Sequence, residues 1–185
     1  MKEWFENKTV ALVGNAQSLF DKSYGSEIDS HEVVVRMNRA AMLYTNFNSE
    51  ISHGKKTDIW MMWNVVEYRN KFNDIDKNIK KMHMSGRIRN AVNNIKVDFL
   101  YPLEMYEILR KHAGPKQNPT TGLMALDYID SCKPLKVSIY GFDWKETPTF
   151  TDLNRREEIT SGHNYNVEKE YCAKRFLTKK NYFLK

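Results

Sequence analysis

The sequence predicts an α/β fold: a mostly parallel sheet with helices on both faces. Three observations predict it. Short apolar runs rich in Val, Ile and aromatic residues recur along the chain, punctuated by Gly, Asn or Pro, and read as buried strands. Other segments place apolar residues three and four apart, the helical period. The two kinds of segment alternate, which implies parallel strands joined by helical crossovers.

In chain order, the strand candidates are Thr9–Val13, Val33–Met37, 58–63, 97–101 and 137–142. "LEMYEILRKHA", residues 103–113, and "GLMALDYIDSC", residues 122–132, carry amphipathic helical spacing. The tail 165–180 sets Val167, Tyr171 and Phe176 on one face and predicts a closing helix. No repeat, low-complexity segment or linker divides the 185 residues, and a chain of this length with 41% hydrophobic residues can bury one sizeable core. A single domain over 1–185 is expected. In such sheets ligands bind where the loops leave the carboxyl ends of the strands, so the loops after Val13, Met37, Trp63 and Phe142 are the places to search.

Composition narrows the classes. Twenty-nine Lys and Arg against 23 Asp and Glu leave a net charge of +6, which suits an anionic substrate or partner. Two cysteines, Cys132 and Cys172, are too few for a small secreted disulfide framework, and a reducing compartment is expected. "MKEWFENKTVALVG" has charges on both sides of Trp4 and Phe5 and reads as no signal peptide. No run approaches the roughly 18 to 20 apolar residues that cross a bilayer. The expectation is a soluble cytoplasmic protein with no membrane contact.

The loop after the first strand begins Gly14-Asn15, and the next glycine is Gly25. Neither the G-x-G-x-x-G of a dinucleotide loop nor a P-loop is present, which disfavours nicotinamide and ATP. What remains is a tight turn whose Asn15 amide can donate and accept hydrogen bonds to a nucleotide, or an ordinary strand-to-helix turn. The second strand ends "VVVRMN", where Arg36 and Asn38 alternate with Met37 and point to one side. Arg36 is either a ligand contact or half of an internal pair, since a buried guanidinium is costly unless paired; Asn38 is read as a ligand contact.

"QNPTTGLMALDYIDSC" sets Pro119, Thr120, Thr121 and Gly122 ahead of a helix. Thr is a capable N-cap, and the free N–H groups of a first turn form an anion site. Gly122 would let a ligand come close to the backbone; the plain alternative is a capped helix. In "SGHNYNVEKEY", His163 and Glu168 fit H-x-x-x-x-E. A histidine near its ordinary pKa of about 6.5 is suited to taking a proton from a sugar hydroxyl. His31, His53, His83 and His112 sit in no comparable constellation.

Taken in this order, the segments resemble the motifs of the animal-type sialyltransferase family. Gly14, Asn15, Tyr24, Gly25, Ile28, Asp29, Val34, Val35, Arg36, Met37 and Asn38 match its long motif. Residues 119–122, Cys132 and 140–142 look like its short motif, and His163 with Glu168 its very short one. The resemblance spans about residues 8 to 180. It implies a Rossmann-like GT-A variant fold, a CMP-activated sugar donor, no cofactor, and transfer with inversion to an acceptor hydroxyl. It further implies Asn15 and Asn38 holding CMP, with Gly14, Arg36, Thr120, Thr121, Gly122, Gly141 and Phe142 among the donor-binding residues. His163 would be the general base, with Glu168 as its catalytic companion.

Departures accompany the matches. Secretory members join a long-motif cysteine to the short-motif one, but here the first strand reads "KTVALVG" and Cys132 has no such partner. That fits a short cytoplasmic member of viral or bacterial type. The family's His-Tyr motif has no counterpart unless His163 and Tyr165 double for it, which leaves the leaving phosphate without an assigned group.

CMP leaves as a single phosphate, which helix amides, Thr hydroxyls and a cation can stabilise without a metal. Asp74-Ile75-Asp76 spells a metal-binding D-x-D, but in a polar stretch read as solvated. Two acid-poor basic stretches, 77–96 and the tail after Glu170, read as a solvated face or as a track for a polyanion. Two acceptors therefore stand open: a glycan, and a hydroxylated base in DNA. A third reading, an idle nucleotide-binding module, is disfavoured because binding alone needs no base.

Overall fold

The computed structural model describes residues 2–43, 49–63, 77–84, 97–114, 116–149 and 162–185. Asp74, Asp76 and the 85–96 part of the basic stretch lie outside them. The strands are β1 (Thr9–Val13), β2 (Val33–Met37), β3 (Ile59–Met62), β4 (Lys80–His83), β5 (Phe99–Leu100), β6 (Lys136–Tyr140) and β7 (Tyr182–Leu184). The helices are α1 (Gly25–Asp29), α2 (Ala40–Leu43), α3 (Glu50–His53), α4 (Leu103–Ala113), α5 (Thr121–Ser131) and α6 (Tyr165–Arg175), with 3-10 turns at Lys2–Trp4 and Gln17–Asp21.

The strands form one sheet in the order β5-β4-β3-β2-β1-β6-β7, every neighbouring pair parallel. β1, β2 and β3 are buried along almost their whole length and, Thr9 and Arg36 apart, apolar, because both faces are covered, as parallel sheets require. Alternate side chains serve two clusters. Val10, Leu12, Val35, Met37 and Ile139 meet Leu109 of α4, Met124 of α5 and Cys172 of α6 on one face. Ala11, Val13, Val34 and Tyr140 meet Leu19, Ile28 and Ala40 on the other.

Two strands escaped the sequence reading. β4 lies inside the basic stretch, where Lys80 and Lys81 mask the strand character of Met82, which is fully buried. β7 pairs in parallel with β6 at the sheet edge, and the closing helix, which stops at Arg175, lies in the crossover between them. From β1 the chain runs outward one way through β2 to β5, then returns to the other side of β1 for β6 and β7. The order thus reverses at β1, and the loops after β1, β2 and β6 diverge around one crevice, the place where α/β sheets take ligands.

Candidate active site

That crevice is a cavity of about 470 Å³, within the roughly 300–1,000 Å³ usual for small-molecule sites. Gly14 and Asn15 after β1, Met37 and Asn38 after β2, and Gly141 and Phe142 after β6 line it. Thr120, Thr121 and Gly122 at the start of α5, and His163 and Glu168 around the start of α6, complete it. All the expected site residues except Arg36 therefore meet in one place.

Arg36 corrects the expectation. It shares a face of β2 with Val34 and is fully buried, away from the cavity. Its Nη2 donates to His53 O at 2.7 Å, and its Nε to Lys56 O and Thr57 Oγ1, both at 3.0 Å. Gly25 and Asp29 secure the same segment: a Cβ on Gly25 would meet Glu50 O at 1.8 Å, and the Asp29 carboxylate accepts from Lys55 N and Lys56 N. Much of the long motif thus builds the 49–57 connection rather than the cavity. His53, buried beside Arg36, has its pKa pushed down to about 4 by burial first and the guanidinium second.

Asn38 does not continue the strand's alternation, because it leaves β2 with φ 48. Its Nδ2 donates to Thr121 Oγ1 at 3.2 Å, while its Oδ1 accepts from Trp63 N at 2.9 Å. It ties the end of β2 to α5 and borders the cavity as a strut. Asn15 differs: its Oδ1 is buried with no partner among the described residues, and a buried acceptor left unpaired costs about 1–3 kcal/mol. A ligand donor is the economical remedy.

The start of α5 is built as its sequence demands. Thr120 is extended (φ −66, ψ 157) and its Oγ1 accepts from Leu123 N at 3.1 Å, a side-chain N-cap. The same residue is gripped by Glu168, whose Oε1 accepts from Thr120 N at 2.8 Å and Oε2 from Thr120 Oγ1 at 2.5 Å. Glu168 is only 2% exposed, and burial raises its pKa to about 7 against the lowering effect of those bonds. Both carboxylate oxygens are spent on the turn, so Glu168 is a positioning residue, not the catalytic companion expected. At Gly122 the space a Cβ would fill is held by the ring of Phe142, 2.7 Å away, so the close packing of these two cavity-lining residues requires the glycine.

His163 is held through Nδ1, 2.8 Å from Asn118 O. A carbonyl only accepts, so Nδ1 carries the proton and Nε2 is the basic nitrogen of the neutral ring. Burial lowers its pKa, the Asn118 bond opposes, and the charge of Lys145 lowers it further. Asn118 is itself braced, accepting from Tyr106 Oη of α4 at 2.9 Å and donating its N–H to Gly162 O at 2.9 Å. Tyr165 stands 5.9 Å from His163, ring centre to ring centre.

Trp63, Arg39, Trp144, Lys145 and Tyr165 also line the cavity, and apart from Tyr165 the sequence reading passed them over. Asp143 four residues before Thr147, directly after a strand and its Gly-Phe, is a turn signal that could have found Trp144 and Lys145. Among the described residues no three His, Cys, Asp or Glu cluster as a metal site, and the D-x-D pair lies outside them.

Elsewhere several of the basic residues are engaged. Lys174, Arg175, Lys179 and Lys185 pair with Glu170, Asp127, Asp130 and Glu27, and Lys80 sits over the Trp4 ring at 5.5 Å. The tail is a mixed-sign face rather than a cationic track. No described helix is long and apolar enough to cross a membrane.

Residues 5–91 match the model of glycosyltransferase family 29 (sialyltransferase). A stretch of 30 residues is 63% identical to mouse CMP-N-acetylneuraminate-beta-galactosamide-alpha-2,3-sialyltransferase 1. Over that part of its length the chain is similar to the family 29 sialyltransferases. The mouse match covers 16% of this chain and only 9% of that enzyme. As a fold, the chain superposes on a mammalian sialyltransferase in complex with Gal-beta-1-3GalNAc-ortho-nitrophenol, with TM-score 0.66, 17% identity, and coverage of 100% of this chain and 71% of the other. A Campylobacter jejuni sialyltransferase, CstII, in complex with CMP-3FNeuAc, aligns with TM-score 0.59 and 14% identity over 96% of this chain and 78% of that one.

Proposed function

We propose that the protein transfers a CMP-activated sugar to a hydroxyl of a glycan, inverting the anomeric centre. The observation that carries the reading is a neutral imidazole, fixed through Nδ1 on Asn118, bordering the same cavity as the unsatisfied Asn15 Oδ1 and the capped start of α5. Asn15 Oδ1 suits an N–H or O–H donor of the nucleoside. The first turn of α5 suits the phosphate, because its amides and dipole attract anions. His163 Nε2 takes the proton as the acceptor oxygen bonds to the anomeric carbon. The bond from that carbon to the phosphate oxygen breaks, and its electron pair leaves with CMP.

In this reading charge on the departing phosphate is met by protein groups rather than a metal. Both cysteines are buried free thiols, which suits the reducing, cytoplasmic location we propose. The names of the relatives support a sugar acceptor, and the ion-paired tail argues against DNA.

Titration with CMP, UMP and AMP tests the donor: CMP should bind most tightly, and equal affinity for all three would refute the reading. His163→Ala should keep CMP affinity while transfer falls by roughly 10²–10⁴. Salt-sensitive binding to duplex DNA would instead revive a base acceptor.

A further inference from the structure

The CMP-sugar reading leaves one requirement unmet. The donor phosphate gains negative charge as the sugar departs, and His163 cannot answer it, because a base must be neutral to accept a proton. The start of α5 offers only partial charges. Two cationic side chains line the cavity among the described residues, Arg39 after β2 and Lys145 after β6. Lys145 lines the same cavity as His163.

We propose that Lys145 is the cation of this site, and that the 143–147 turn holds its ammonium against the donor's departing phosphate. The inference rests on the CMP-sugar reading.

The turn is built for the purpose. Trp144 and Lys145 take φ 50 and φ 70, left-handed backbone at two successive non-glycine residues. Such backbone is unfavourable and persists where surroundings over-determine it, commonly at functional sites. Here the surroundings are one carboxylate. Asp143 Oδ1 accepts from Lys145 N at 3.1 Å, and its Oδ2 from Thr147 N at 3.0 Å, from Ser18 Oγ at 3.2 Å and from Thr147 Oγ1.

The turn is also fastened to the wall that carries Asn15. Ala16 pairs with Thr149 as an isolated bridge, Gln17 N donates to Pro148 O at 2.9 Å, and Ser18 N donates to Thr147 Oγ1 at 3.2 Å. The Lys145 ammonium donates to Thr149 Oγ1. An ammonium has three donors and can hold a threonine and a phosphate oxygen together. Lys145 is exposed at the cavity's open side, so replacing it empties no core space.

The test is calorimetric titration of CMP and of cytidine, which lacks the phosphate, into the wild type, Lys145→Gln and Lys145→Arg. The wild type should prefer CMP. Lys145→Gln should bind CMP about tenfold more weakly, the scale of one charge-assisted hydrogen bond, with cytidine affinity unchanged. Lys145→Arg should keep most of the preference. If Lys145→Gln retains the full preference for CMP over cytidine, the Lys145 assignment falls and the donor reading stands. If cytidine and CMP weaken together, the turn is only architectural and the assignment again falls. A wild type indifferent to CMP overturns the donor reading and this inference with it.

Discussion

At the scale of single residues, the site depends on which polar groups are already engaged. Asn38 and Glu168 spend their side chains on neighbouring backbone and hydroxyls, whereas Asn15 keeps a buried acceptor unpaired. Burial moves the His163 pKa below the ordinary histidine value, so its base form should persist into more acidic solution than that of a free imidazole. Protonation destroys the base; the rate should therefore be level near neutral pH and fall only in a more acidic range. Glu168, raised to about 7 by burial, titrates in the same site, and Glu168→Gln separates the two. An acidic limb that survives in that variant's pH–rate profile belongs to His163. Arg36 makes the opposite case. Arg36→Ala strands three acceptors and should cost roughly 3 kcal/mol in urea unfolding. Arg36→Lys should leave CMP affinity within about threefold, since the residue does not reach the cavity.

At the scale of elements, close approach between chain segments shapes the crevice. A Cβ on Gly14 would lie 2.3 Å from Gly141 O, backbone against backbone, so the ends of β1 and β6 could not stay together. Gly14→Ala should cost about 1–3 kcal/mol, the scale of overpacking, and weaken CMP binding with it; chemical unfolding and titration check both. Helices with intact patterns were legible in the sequence: residues 103–113 form α4 as their period says, and the Thr120 cap starts α5 one residue before the expected range. β4 was not legible, because a four-residue strand with two lysines carries too few apolar positions to show a period. Nor was the role of the 143–147 turn, whose meaning depends on Asp143 reaching Ser18 from 125 residues away.

At the scale of the molecule, the reversal of strand order at β1 sets the place of the site, and the two-sided sheet keeps its floor rigid. The ion pairs across the tail, each worth little by itself at an exposed surface, leave the net charge of +6 unchanged. Charge neutralisation by helix amides and Lys145 carries a whole-enzyme consequence. Transfer should survive EDTA and gain nothing from added magnesium or manganese; loss of activity on chelation, with recovery on metal, would count against it.

The sequence alone determined the layered α/β architecture, the helix starting at the Thr120 cap, and the pairing of His163 with Glu168 in one short motif, because each follows from local period, capping or spacing. Tertiary structure alone decided that Arg36 faces away, that Glu168 grips Thr120 48 residues distant, and that Lys145 lines the same cavity as His163. Those facts depend on strand order and on left-handed turns that redirect side chains, and neither is encoded in any single stretch of chain.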